Sequence, residues 1–147
     1  MRDELRKALD FAIAKEREAE AFYKEWSQKA LDPTVKALCS ELAGTEHGHV
    51  EMLTRITPQE IVARSEEMPQ DLQLSDALVD VPASPDLTLQ DAMIVAMKRE
   101  ERAVALYTRL AEMRGEAESL FRALAREEAD HKRRLEIQYD DHVLTEN

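Results

Sequence analysis

Apolar residues recur along this chain at spacings of three and four, the signature of helices that bury one face. A first stripe runs Leu5, Leu9, Ala12, Ile13, Ala19, Tyr23 and Trp26; a second runs Val35, Leu38, Leu42, Leu53 and Ile56. A third takes Met93, Ala96, Ala103, Tyr107 and Leu110, and a fourth Leu120, Leu124 and Leu135. The first two are parted at Leu31-Asp32-Pro33. Asp32 suits an N-cap, and Pro33 the first helical position, where a missing N–H costs nothing. Thr88 opens the third helix with a Thr-x-x-Asp version of the capping box, and Gly115 is expected to close it near Arg114 as a left-handed cap. The predicted helices are therefore 2–30, 33–56, 88–114 and 116–143.

Residues 57–87 read differently. They hold Pro58, Pro69, Pro82 and Pro85 with only short apolar patches, and are expected to form a connection with a helical turn or two near Pro58 and Ser75. The expectation is one all-α domain over 1–147, with a hairpin at 2–56, a crossover at 57–87 and a hairpin at 88–143. About thirty residues of connection can travel back along a helix ~35–40 Å long. A four-helix bundle with one long crossover has the ferritin-like topology.

Every apolar stripe is interrupted near its middle by a carboxylate: Glu16 in the first, Glu46 in the second, Glu100 in the third and Glu128 in the fourth. The second and fourth add a histidine three residues on, His49 and His131. A buried, unpaired carboxylate costs several kcal/mol or takes up a proton, so four in one small core need a neutralising partner. At 1.5 Å rise per residue all six groups fall roughly 20–25 Å from their own hairpin turn, at a common height. One Glu from each of two helices, with Glu-x-x-His from each of the other two, is the ligand set of ferritin-like di-iron and di-manganese proteins. A single Glu-x-x-His pair is a weak signal in so acidic a chain; two of them, on core stripes and at matched distances, are a strong one.

The match extends to an internal repeat. Ala12-Ile13-Ala14-Lys15-Glu16 aligns with Ala96-Met97-Lys98-Arg99-Glu100, and in both halves Ala follows the Glu by three residues and Tyr by seven, giving Tyr23 and Tyr107. Glu46-His47-Gly48-His49 then matches Glu128-Ala129-Asp130-His131. Under this alignment Glu101 pairs with Arg17 and Glu127 with Thr45, so neither is a shared ligand. Glu20 pairs with Val104 and reads as a solvated rim residue or an outer carboxylate on an iron path. His47 and His142 lack a preceding Glu and read as surface residues, and Cys39 as a buried thiol. Tyr23 and Tyr107 are read as donors to ligand carboxylates, with core packing as the plainer alternative.

Composition narrows the function classes. The net charge of −11 repels phosphate backbones and anionic lipid, which argues against a nucleic-acid partner. No apolar run is long enough to span a bilayer and no signal peptide is evident, so a cytoplasmic protein without a membrane partner is expected. A lone cysteine rules out an internal disulfide and a Cys-based metal knuckle. Carboxylate and imidazole donors suit iron or manganese, and imidazole also accepts zinc.

At Glu16, Glu46/His49, Glu100 and Glu128/His131 the chain resembles the rubrerythrin branch of the ferritin-like superfamily, over almost its full length. The resemblance implies a di-iron centre that reacts with hydrogen peroxide or oxygen, an external electron-donor protein and a homodimer. It departs from the family in two respects. With one cysteine, no four-cysteine rubredoxin domain is expected. Ala103 stands where rubrerythrins carry an extra carboxylate, which leaves a symmetric ligand set closer to that of bacterioferritin. Too little chain follows His131 for the short extra helix of cage-forming ferritins, so no iron-storing cage is expected. The working assignment has Glu46 and Glu128 bridging two irons, Glu16 and His49 completing one shell, and Glu100 and His131 the other; which carboxylates bridge is open at this level. Reduction of peroxide is the leading function. Ferroxidase or oxygen-reducing chemistry at the same ligands, a non-catalytic metal-binding module and a metal-free bundle are its rivals.

Overall fold

The computed structural model describes residues 2–56, 88–113, 115 and 117–146, with side chains described over 6–141 of that set. The expected crossover and the helical turns near Pro58 and Ser75 lie outside the described residues, as does the side chain of His142. Four helices make up the described chain: α1 Arg2–Lys29, α2 Pro33–Arg55, α3 Leu89–Ala111 and α4 Glu118–Glu146. No strand occurs among the described residues. The protein is an all-α four-helix bundle.

The caps explain where two of these helices begin. Asp32 Oδ1 accepts from the amides of Thr34 (2.7 Å) and Val35 (3.3 Å), with Pro33 next to it at the helix start. Thr88 Oγ1 accepts from the Asp91 amide at 3.1 Å. Both satisfy amides that have no carbonyl partner in the first turn.

The α3–α4 connection differs from expectation. Helix α3 ends at Ala111 rather than near Arg114, the Met113 amide reaches back to the Leu110 carbonyl at 3.3 Å, and α4 starts at Glu118. Gly115 lies inside the turn instead of capping the helix. The reason is packing. Met113 and Ala117 both turn into the core, and the backbone leaves the helical path early to bury them.

Two apolar clusters set the directions of the helices. The first joins Leu9 and Ala12 of α1, Leu53 of α2, Leu106 and Leu110 of α3, and Phe121 and Leu124 of α4. The second joins Phe22 and Trp26 of α1, Val35 and Leu38 of α2, Ala92 and Val95 of α3, and Leu135 of α4. The start of α1 thus lies beside the end of α3, and the end of α2 beside the start of α4. The two hairpin turns sit at opposite ends of the bundle, and Ile56 belongs to the first cluster while Leu89 packs against the second. Cα traces approach closely within each hairpin; across the bundle α1 faces α3 and α2 faces α4.

Leu5 lies outside the described side chains; the rest of the predicted stripes are buried with three exceptions. Ile13, Ala103 and Leu120 are only half-buried, and Phe121 takes the core position expected of Leu120. Residues 120 and 121 flank the face of 124, 128, 131 and 135 on either side, and the larger Phe121 takes the buried place.

Candidate metal centre

Between the two apolar clusters lies a polar layer. Glu16, Glu46, His49, Glu100, Glu128 and His131 are all buried, none more than 4% exposed, and they are the only buried charged or polar side chains among the described residues. Each occupies the middle of its helix, as the interrupted stripes predict, and the structure brings all six together.

They form two overlapping groups: Glu16, Glu46, His49 and Glu128 in one, and Glu46, Glu100, Glu128 and His131 in the other. Within each group one donor atom per residue lies within 4.8 Å of every other. Only Glu46 and Glu128 belong to both, the arrangement the working assignment requires of bridging carboxylates. His49 Nδ1 is 3.4 Å from Glu16, 3.7 Å from Glu46 and 3.2 Å from Glu128. His131 Nδ1 is 3.0 Å from Glu46, 3.6 Å from Glu100 and 3.5 Å from Glu128. The two imidazoles are nearly parallel, with centroids 6.3 Å apart.

The outer oxygens of two carboxylates are taken by the tyrosines, crosswise between the hairpins. Tyr23 of α1 donates to Glu100 Oε1 of α3 at 2.5 Å, and Tyr107 of α3 donates to Glu16 Oε1 of α1 at 2.5 Å. Burial, together with the neighbouring carboxylate charges, pushes both phenols well above their ordinary pKa, so they remain donors.

The inner atoms have no such partners. Glu16 Oε2, both oxygens of Glu46, Glu100 Oε2, Glu128 Oε1 and Nδ1 of both histidines are buried without a hydrogen bond. Orphaned polar atoms are costly and rare in a native core, and here they converge on one volume. In the absence of a cation, protons must hold the cluster together. Burial opposes charge on His49, but the Glu128 and Glu46 carboxylates outweigh it and raise its pKa to about 11. Glu100 and Glu46 do the same for His131, to about 9. Burial pushes Glu128 well above the carboxylate range, and the charges of Glu100 and Glu46 add to the shift. Glu46 goes the other way, because the imidazoles of His131 and His49 beside it outweigh its burial. Two divalent cations would supply four positive charges to four carboxylates and leave both histidines neutral. The donor set fits two such ions, with hard oxygens and imidazole nitrogens.

Several other residues fall where expected. Glu101 and Arg17 are exposed. His47 is exposed and lies between Glu20, at 3.2 Å, and Glu51, at 2.9 Å. Glu20 is half-buried and held by Lys24 at 2.9 Å, a rim residue. Cys39 is buried, and burial raises its thiol pKa to about 11. One contact was not anticipated: Glu127 Oε2 lies 2.5 Å from His49 Nε2, on the far side of the ring from the carboxylates. The only trace of it in the sequence is a Glu next to the ligand Glu128, in a chain where Glu is common.

Above the cluster, between α1 and α3, is a cavity of about 50 Å³. Its floor is Glu16, Glu46, Glu100 and Glu128; its walls include Phe11, Ala19, Ala103 and Leu106, and Lys15, Arg99 and Arg102 stand at its edge. Ala19 and Ala103 are equivalent in the repeat, and their small side chains leave the space open. No described helix is long and apolar enough to cross a membrane.

A sequence model of the family described as Rubrerythrin matches residues 7–139. No curated protein and no solved structure gives a significant match to the chain.

Proposed function

Since the chain belongs to the rubrerythrin family, we propose that it reduces hydrogen peroxide at a non-haem di-iron site held by Glu16, Glu46, His49, Glu100, Glu128 and His131. The observation that carries this reading is the small cavity whose floor is the four carboxylates of the cluster. It has room for a peroxide or a few waters and excludes a bulky substrate.

Two ferrous ions held by these six residues would supply the two electrons that, with two protons, convert one peroxide to two waters. The chain's own residues prepare that step. Glu46 and Glu128 belong to both ligand groups and would be shared between the two ions. Tyr23 and Tyr107 occupy the outer oxygens of Glu100 and Glu16, so the remaining lone pairs point inward. The apolar walls at Phe11 and Leu106 limit water over the floor. Each turnover consumes electrons from outside the chain, which an external electron-donor protein supplies.

Ala103 favours a second reading. Without a further carboxylate at that position the ligand set is symmetric, as suits a ferroxidase or another oxygen-consuming centre. The two are separated by mixing the ferrous protein with peroxide and, separately, with oxygen. Faster oxidation by peroxide, with sustained turnover when a reductant is supplied, supports the first reading. Faster oxidation by oxygen replaces it with the second, and oxidation by neither leaves a non-catalytic metal-binding module.

A further inference from the structure

The internal repeat makes the six-residue cluster nearly two-fold symmetric, and one pair of neighbours breaks the symmetry. Both histidines present Nδ1 to the carboxylates, so Nε2 is the outward atom in each. For His49 that atom lies 2.5 Å from Glu127 Oε2 on α4. The residue equivalent to Glu127 beside His131 is Thr45, whose hydroxyl is turned to the Glu41 carbonyl at 3.2 Å. Two carboxylates in its surroundings are already engaged, Glu41 with Arg134 and Asp130 with Arg133. His131 instead borders an open groove between α2 and α4, lined by Thr45, Ala123, Arg126, Glu127, Asp130 and Arg134.

A carboxylate on the outer nitrogen of a metal-binding imidazole fixes the tautomer with its lone pair toward the metal, locks the ring and raises the basicity of the ligating atom; its loss typically costs about 10–100-fold in metal affinity. We propose that the two metal positions are unequal, with the Glu16/His49 position binding its ion more tightly than the Glu100/His131 position, because Glu127 anchors His49 while Thr45 leaves His131 without an equivalent anchor. The ion beside His131 is then the exchangeable one, next to a groove through which it can enter and leave. This rests on the six residues being a two-metal site and is independent of the peroxide reading.

The test is an anaerobic titration of the metal-free full chain with cobalt(II), followed by absorbance and calorimetry. Because the ions share Glu46 and Glu128, two binding steps would arise even from a symmetric site, so the variants decide. His131→Ala should keep one ion at the affinity of the first wild-type step, and His49→Ala should lose that step. Glu127→Gln should weaken the first step by about 10-fold or more and leave the second nearly unchanged. Thr45→Glu, or Thr45→Asp should the longer side chain disturb folding, should tighten the second step. Glu127 is half-exposed, so its replacement leaves the packing of the core intact. A first step unchanged in Glu127→Gln, or a tight ion retained in His49→Ala but not in His131→Ala, overturns the proposal. No saturable cobalt uptake by the wild type overturns the metal centre itself.

Discussion

The hydroxyl of Tyr23 lies 2.5 Å from Oε1 of Glu100, a residue on the opposite hairpin, and donates its proton there. Tyr107 and Glu16 repeat the contact in the opposite sense. Each tyrosine therefore ties one hairpin to a candidate ligand of the other, and does so in a layer with almost no other directed hydrogen bonds. Tyr23→Phe removes the donor and leaves a buried carboxylate oxygen unsatisfied, a loss of about 1–3 kcal/mol. The metal-free variant should unfold at correspondingly lower denaturant, with an unchanged denaturant slope. Tyr107→Phe should behave alike, and an unchanged midpoint in both would mean the bonds contribute nothing.

Protonation of the cluster makes stability depend on pH in a defined sense. His49 and His131 have folded pKa values of about 11 and about 9, raised above the ~6.5 of an unfolded histidine. Their contribution is fully present below about pH 6.5 and is lost as pH rises through 9 and 11. The melting temperature of the metal-free chain should fall from pH 7 to pH 10, while the metal-loaded chain, with its imidazoles neutral, should not follow it. Metal uptake at pH 7 should also release protons, two of them from these histidines, measurable with an indicator dye in weak buffer.

Ala103 and Ala19 bound the cavity over the carboxylates. Ala103→Leu fills that space without touching a ligand. Iron stoichiometry should stay at the wild-type value while the rate of oxidation by peroxide falls about 10-fold or more, the scale on which a small misplacement of reactants acts. A full rate in this variant would place the oxidant's route elsewhere.

Burial and the charges of Glu100 and Glu46 oppose a negative charge on Glu128. Glu128→Gln should therefore make the metal-free chain more stable, on the order of 1 kcal/mol, while abolishing both metal positions. Thermal melts with and without added ferrous or cobalt ion check both halves. A variant that is less stable and still gains stability from metal would contradict the assignment of Glu128 as a shared ligand.

Much of this was legible in the sequence, for a physical reason. Glutamates at core-stripe positions conflict with burial so strongly that Glu16, Glu46, Glu100 and Glu128 stand out without any coordinates, and the repeat aligned their heights. The Asp32-Pro33 and Thr88 caps are local signals and were equally readable. What escaped depended on tertiary context. The crosswise partners of the tyrosines follow from α1 facing α3, which no local pattern encodes. Leu120 and Phe121 stand at the two edges of one apolar face, so periodicity alone could not choose between them. Gly115 carried a cap signal that the burial of Met113 and Ala117 overrode. Glu127 could not be told from the many solvated glutamates of a chain with 31 acidic residues, since only the placement of α4 against α2 brings it to His49.

The central claim is that these six side chains hold two metal ions. Anaerobic titration of the metal-free chain with ferrous iron, read by absorbance and by the rise in melting temperature, tests it most directly. A break at two irons per chain is expected, with loss of saturable uptake in Glu46→Ala and Glu128→Ala. A titration without saturation, or one whose break survives both substitutions, would contradict it.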